Sequence, residues 1–141
     1  MIPDNGIDLT GGVSVVSFPT RTYKLRLDTD RIAGYTEGLD AMEQMIYKAL
    51  LTDRYRYLIY DWNYGFEVDD LFGKDRSYVK PELIRRITEC LMADDRVLGV
   101  ENFAFPAPDD NAYNSARNTV VVTFTARTVF GDVYYSKAVS V

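Results

Sequence analysis

Thr119-Val120-Val121-Val122-Thr123-Phe124-Thr125-Ala126-Arg127-Thr128-Val129-Phe130-Gly131-Asp132-Val133 decides the fold class, together with its continuation Tyr134-Tyr135-Ser136-Lys137-Ala138-Val139-Ser140-Val141. Over 118–130 the residues alternate. Val120, Val122, Phe124 and Phe130 fall on one face, and Thr119, Thr123, Thr125 and Arg127 on the other. That is the period of a strand with one buried side. Gly131-Asp132 fits a two-residue hairpin turn with glycine first, and 133–141 is then the return strand. Such a turn pairs Phe130 with Val133, Phe124 with Val139 and Val122 with Val141, and the apolar faces coincide in that register.

Upstream of the hairpin, 104–117 carries prolines, aspartates and asparagines and reads as an exposed loop. Residues 96–103 read as a strand entered through the Asp94-Asp95 turn. A helix is predicted over 80–93, with Pro81 at its first position and Glu82 in the first turn. Ile84, Ile87 and Leu91 form its apolar stripe, with Leu83 and Cys90 at the edges. Residues 67–72 suggest one short helical turn stopped by Gly73. Residues 55–61 are rich in aromatic and β-branched side chains and read as a strand, followed by the aromatic turn Trp62-Asn63-Tyr64-Gly65-Phe66. Leu39, Met42, Ile46, Ala49 and Leu50 make a helical stripe over 38–51, with Thr36 as N-cap and Asp40 at the positive end of the dipole. Tyr23, Leu25 and Leu27 alternate with Thr22, Lys24 and Arg26, a half-buried strand, and Asp28-Thr29-Asp30 turns it towards a second short strand at 31–34. The result is an α+β fold, with two helices packed on a mostly antiparallel or mixed sheet and ending in a C-terminal β-hairpin. Residues 1–20, broken by glycines and prolines, read as an irregular arm, and 21–141 as one domain.

Composition excludes several classes. The chain has 141 residues, 47% hydrophobic and 26% charged, enough for a buried core and unlike a disordered chain. A net charge of −5 argues against a general nucleic-acid binder. There is no histidine, which removes His-based triads and the commonest metal ligand. One cysteine, Cys90, allows no intramolecular disulfide, and without histidine it has no partner to activate it. The charge-free run 9–20 is 12 residues long, short of the ~20 a membrane span needs. The start, Met1-Ile2-Pro3-Asp4, lacks the basic and apolar regions of a secretory signal, so a reducing cytoplasm is the expected compartment of synthesis. Asp28-Thr29-Asp30-Arg31-Ile32-Ala33 opens like a calcium loop but puts Ile32 and Ala33 where a ligand and a glycine belong. Gly73-Lys74-Asp75 lacks the rest of a phosphate loop. Neither a cofactor nor a metal is expected. The paired carboxylates, Glu67 and Asp70 among them, leave a small peptidoglycan hydrolase as the enzymatic alternative. A strand-binding adaptor is the third possibility, because a terminal strand without a polar tail offers an edge for pairing.

Several motifs in order carry a resemblance. Ile59-Tyr60-Asp61-Trp62-Asn63-Tyr64-Gly65, Asp69-Asp70-Leu71-Phe72-Gly73-Lys74, Tyr78-Val79-Lys80-Pro81-Glu82-Leu83, Arg85-Arg86-Ile87, Asp94-Asp95-Arg96-Val97, Val100-Glu101-Asn102-Phe103 and Phe130-Gly131-Asp132 resemble the XkdS-like proteins encoded in tail operons of contractile phages and defective prophages. These are similar in turn to baseplate wedge proteins that initiate the tail sheath, a family sometimes labelled lysozyme-like; Leu50-Leu51-Thr52, Tyr64-Gly65 and Asp70-Leu71-Phe72 match their outline. The Glu-Pro-Arg signature usual after the short helix is absent, and Phe72-Gly73-Lys74-Asp75-Arg76 stands there. The resemblance implies a structural, non-enzymatic protein of the baseplate, assembled in the host cytoplasm and carried in the particle. Its implied partners are sheath, wedge and tube or hub proteins, with six copies per ring. On that basis Thr119, Val121, Thr123, Thr125, Arg127, Tyr134, Tyr135, Lys137, Val139 and Val141 are the candidate sheath interface. Trp62, Tyr64, Phe66, Arg85 and Arg86 are candidates for the wedge or tube.

Overall fold

The terminal hairpin forms as the alternation requires, in a different register. The computed structural model describes residues 19–106 and 119–141. The expected arm at 1–20, apart from its last two residues, and most of the loop expected at 104–117 lie outside the described residues. In chain order come strands β1 (Thr22–Arg26) and β2 (Arg31–Thr36), helix α1 (Leu39–Leu51), a 3-10 turn (Asp69–Leu71), helix α2 (Arg76–Met92), and strands β3 (Val97–Ala104), β4 (Thr119–Thr128) and β5 (Gly131–Ser140). Strands β3, β4 and β5 form one antiparallel sheet with β4 in the middle, and β1 and β2 pair antiparallel as a separate hairpin. The α+β class, the two helices and the C-terminal hairpin are as expected; the mixed-sheet option is replaced by two antiparallel sheets.

In the terminal hairpin Phe124 pairs with Tyr135, Val122 with Lys137 and Val120 with Val139. The turn is Val129-Phe130, closed between Thr128 and Gly131, not Gly131-Asp132. Thr128 explains the shift. Its hydroxyl donates to the Gly131 carbonyl at 2.6 Å and accepts from the Phe130 amide at 3.2 Å. The displacement is an even number of residues, so the faces survive it. Val120, Val122, Phe124, Ala126, Val133 and Val139 are buried, while Phe130 leaves the inner face for the turn.

The helices cover that inner face. Met42, Ile46, Ala49 and Leu50 of α1 and Val79, Leu83, Ile87, Cys90 and Leu91 of α2 join the sheet residues in one core. On α2 the stripe centres on Leu83, and Ile84 is only half-buried. The helix also starts earlier than Lys80. Asp75 stands at its N-cap, where its carbonyl accepts from the Tyr78 and Val79 amides at 3.0 Å each and its carboxylate accepts from the Ser77 hydroxyl. Pro81 is therefore inside α2, not at its first position, and the Ser77 carbonyl loses its helical donor. At α1 the N-cap is Gly38, not Thr36; Thr36 ends β2, and the Gly38 amide donates to Thr20 Oγ1 at 2.9 Å.

The strand expected at 55–61 is a loop of turns. A strand needs a partner backbone, and among the described residues none pairs with this segment; Tyr55 at φ 66 also breaks the extension. The face of Tyr23 and Leu27 expected to be half-buried is exposed, because the hairpin pairs apart from the larger sheet and nothing among the described residues covers that face.

Candidate functional site

The two sheets offer unequal edges. Strand β4 is hydrogen-bonded to β5 along its whole length and to β3 from Thr123 to Thr128, so over that stretch its backbone is occupied on both sides. Thr123, Thr125 and Arg127 thus present only side chains, and they share with Thr119 and Val121 the face away from the helices. Strand β5 pairs on one side only, and its outer edge is open among the described residues. The two-residue turn makes Thr128 and Gly131 the closing hydrogen-bonded pair, so the amides of Tyr134, Ser136 and Ala138 point to the open edge. The sequence-selected β5 residues divide between the faces. Tyr134 is exposed, whereas Val139 is buried and Tyr135, Lys137 and Val141 point inward and are partly buried. Burial pushes the Tyr135 phenol up and the Lys137 ammonium down in pKa, and Lys137 Nζ sits 5.8 Å from the centre of the Phe66 ring.

The β1–β2 hairpin is a second, more exposed edge, where the alternation of Tyr23, Leu25 and Leu27 predicts a half-buried strand. The side-chain amide of Gln44 on α1 caps its near edge. Gln44 Oε1 accepts from the Leu25 amide at 2.9 Å, and Gln44 Nε2 donates to the Tyr23 carbonyl at 2.7 Å. The outer edge of β2 has no strand beside it among the described residues. Tyr23 stacks on Tyr35 with ring centres 5.2 Å apart, and Arg21 lies 4.3 Å from the Tyr35 ring centre. An isolated two-stranded hairpin is marginal in water, and this one hangs on Gln44 and the Thr20–Gly38 contact.

A loop at 53–66 carries the aromatic cluster. Its neck is a bridge between Asp53 and Phe66, with the Phe66 amide donating to the Thr52 carbonyl at 2.9 Å. Arg54 staples it: Nε donates to the Trp62 carbonyl at 2.7 Å, and the guanidinium pairs with Glu89 of α2 at 3.2 Å. Tyr60 stacks on Tyr64 at 4.5 Å. Trp62 and the tip residues Leu58 and Ile59 are exposed, Tyr64 is half-buried, and Phe66 is in the core. Among the wedge or tube candidates, Trp62 is therefore accessible and Phe66 is not. The polar face of α2 divides likewise. Arg86 is mostly covered and reaches Asp70 at 2.5 and 2.7 Å, Glu82 at 3.1 Å and the Glu67 carbonyl at 3.0 Å, and the Asp70 and Glu82 carboxylates raise its pKa. Arg85 is more exposed and pairs with Glu82 and Glu89 at 3.0 Å each.

These contacts bear on the hydrolase alternative. Hydrogen bonds from Arg86 hold the Asp70 carboxyl below its usual range. A general acid requires the opposite shift. Asp70 instead fixes the 3-10 turn to α2. Cys90 is buried, and desolvation pushes its thiol up to about 11, away from a reactive thiolate. Among the described residues no group of three potential metal ligands occurs, and no helix is long and apolar enough to cross a membrane.

Asp94 performs the turn role expected of it. It accepts from the Arg96 amide at 2.9 Å and from the Arg96 guanidinium at 2.9 and 2.7 Å, and Arg96 in turn donates to the Pro19 carbonyl at 3.3 Å. The Arg96 hydrogen bonds lower the Asp94 pKa. A carboxylate with a depressed folded pKa stabilises above its unfolded pKa, and that stability is lost as the pH falls through the folded value. Asp94→Asn is expected to cost about 1–2 kcal/mol at neutral pH. Urea titrations at a series of pH values should show the gap from wild type closing below the carboxylate range. A gap that persists undiminished in acid would mean that the charge does not contribute.

Comparison with known proteins gives this geometry a context. The profile of the contractile injection system sheath initiators matches residues 16–131. The phage-like element PBSX protein XkdS of Bacillus subtilis (strain 168) is 37% identical over 95 residues, covering 64% of this chain and 67% of that protein. With exposed strand edges and an ordered aromatic loop on an α+β body, the chain belongs to the contractile injection system sheath initiators.

Proposed function

We propose that the chain nucleates sheath polymerisation by holding an open strand edge where the first sheath subunits dock. The role is structural and belongs to a contractile-tail baseplate. In this reading residues 21–141 act as one baseplate domain, the particle is assembled in the host cytoplasm, and six copies stand in a ring. The observation that carries the mechanism is β5, a ten-residue strand paired on one side only among the described residues. Strand addition there supplies main-chain hydrogen bonds with little demand on side-chain type. Tyr134 and the outward side chains of β4, Thr119, Val121, Thr123, Thr125 and Arg127, flank the docked strand. Trp62 and Arg85 are the accessible contacts for wedge or tube proteins.

The test is co-expression with the sheath protein of the same operon, read by negative-stain microscopy and size exclusion. Deleting 133–141 would remove Val133 and Val139 from the core, so a point change is needed. Ala138→Pro removes an outward amide and no β4–β5 hydrogen bond, and proline is tolerated on edge strands. Wild type is expected to yield ordered sheath rings, and folded Ala138→Pro none. Rings that form equally with both would dismiss β5 as the template.

A further inference from the structure

We propose that the outer edge of β2 is a second strand-acceptor site, which takes an extended segment of a partner chain whose side chains alternate between apolar and acidic. This site would extend the templating role assigned to β5, and it rests on that role. The backbone geometry identifies the edge. The Leu25 amide and the Tyr23 carbonyl both point to Gln44, away from β2. Peptide groups alternate in direction along an antiparallel ladder. Tyr35 and Ile32, paired with Tyr23 and Leu25, therefore turn their own backbone groups outward, to the side where no strand stands among the described residues.

The side chains set what the incoming strand must carry. Paired residues share a face, so Tyr23, Tyr35, Leu25 and Ile32 form one apolar surface. Tyr23, Ile32 and Tyr35 are 64%, 66% and 58% exposed, which is far more than a finished sheet face leaves open. The opposite face carries Lys24, Arg26 and Arg31, the last two directly paired. Residues 21–36 hold four basic and two acidic side chains in a chain whose net charge is −5. None of Arg21, Lys24, Arg26 and Arg31 is in an ion pair among the described residues. A strand laid along β2 would place every second side chain over the tyrosine face and the others beside Lys24, Arg26 and Arg31. Apolar and acidic residues in alternation fit both. The same cations argue against a second copy as occupant, because β2 paired with β2 would bring Arg31 and its neighbours against their own kind. A third strand would also relieve a hairpin that is marginal by itself.

Fluorescence polarisation of the full chain tests the site with two short synthetic peptides, one alternating Val and Glu, the other Val and Lys. The acidic peptide is expected to bind about tenfold more tightly, as two or three screened ion pairs would give, and to weaken as salt is raised. Ile32→Pro, which removes an outward amide, should abolish binding. Ile32→Thr keeps the amide and the β-branch and should retain most of it. Equal binding of the two peptides, no binding of either, or Ile32→Pro binding like wild type overturns the inference. Sheath-ring formation by Ala138→Pro is read separately, so failure at β2 and failure of the templating role at β5 are distinguishable.

Discussion

Phe124→Ala is expected to destabilise the fold by about 3–5 kcal/mol. Phe124 lies at the centre of the central strand and is fully buried. Its ring sits between Phe103 of β3 and Tyr135 of β5, with centres 5.7 and 5.8 Å away. Truncation would remove both ring contacts and leave a void that neighbours fixed on two flanking strands cannot close. The loss is a large share of the 5–15 kcal/mol that usually holds a domain together. Urea denaturation followed by circular dichroism measures it. Thr123→Ala, one residue away with an outward side chain, is the control and should stay within about 1 kcal/mol. A Phe124→Ala loss no larger than the control's would mean that the sheet does not pack on the helices at this point.

That core was largely legible in the sequence, because its cues are local. Alternation assigned Val120, Val122 and Phe124 to the inner face, and an even register shift cannot move them. Helical spacing found Met42, Ile46, Ala49 and Leu50 in the same way. What stayed illegible depends on contacts distant in sequence. The choice between Gly131-Asp132 and Val129-Phe130 as the turn rests on two hydrogen bonds of the Thr128 hydroxyl. Residues 55–61 have strand propensity, but propensity does not supply a partner strand. The open edges were the least visible feature. β4 lies in the middle only because β3 returns to pair with it, and Thr123, Thr125 and Arg127 therefore have no free backbone. The β2 edge was missed because Tyr23 and Leu27 look like residues that should be covered. The unpaired basic residues around them were the available signal that the covering is left to another chain.

The neck of the aromatic loop yields the second large effect. Gly65→Ala is expected to cost about 2–4 kcal/mol, combining backbone strain with overpacking. Gly65 has φ +105, and an added Cβ would lie 2.9 Å from the Thr52 carbonyl oxygen and 3.0 Å from the Arg54 Cα and amide nitrogen. All three obstacles are backbone atoms, so no side-chain rotation relieves them. They also belong to the neck itself: the Thr52 carbonyl accepts from the Phe66 amide, and the Arg54 amide donates to the Phe66 carbonyl. Relief would part that bridge and draw Phe66, 3% exposed, out of the core. Gly73→Ala separates strain from collision, since Gly73 has φ +75 but nothing within 4 Å of its added Cβ. That change should cost only about 1 kcal/mol. The chain's single tryptophan, Trp62, sits in the loop and reports on it directly. In Gly65→Ala its fluorescence should change at denaturant concentrations where the far-UV signal of the helices is still native. In Gly73→Ala the two signals should move together. If both alanine variants lose the same stability and Trp62 never departs early, the neck does not depend on the close approach at Gly65. The loop would then be held by the Arg54 staple to Glu89 and the Trp62 carbonyl.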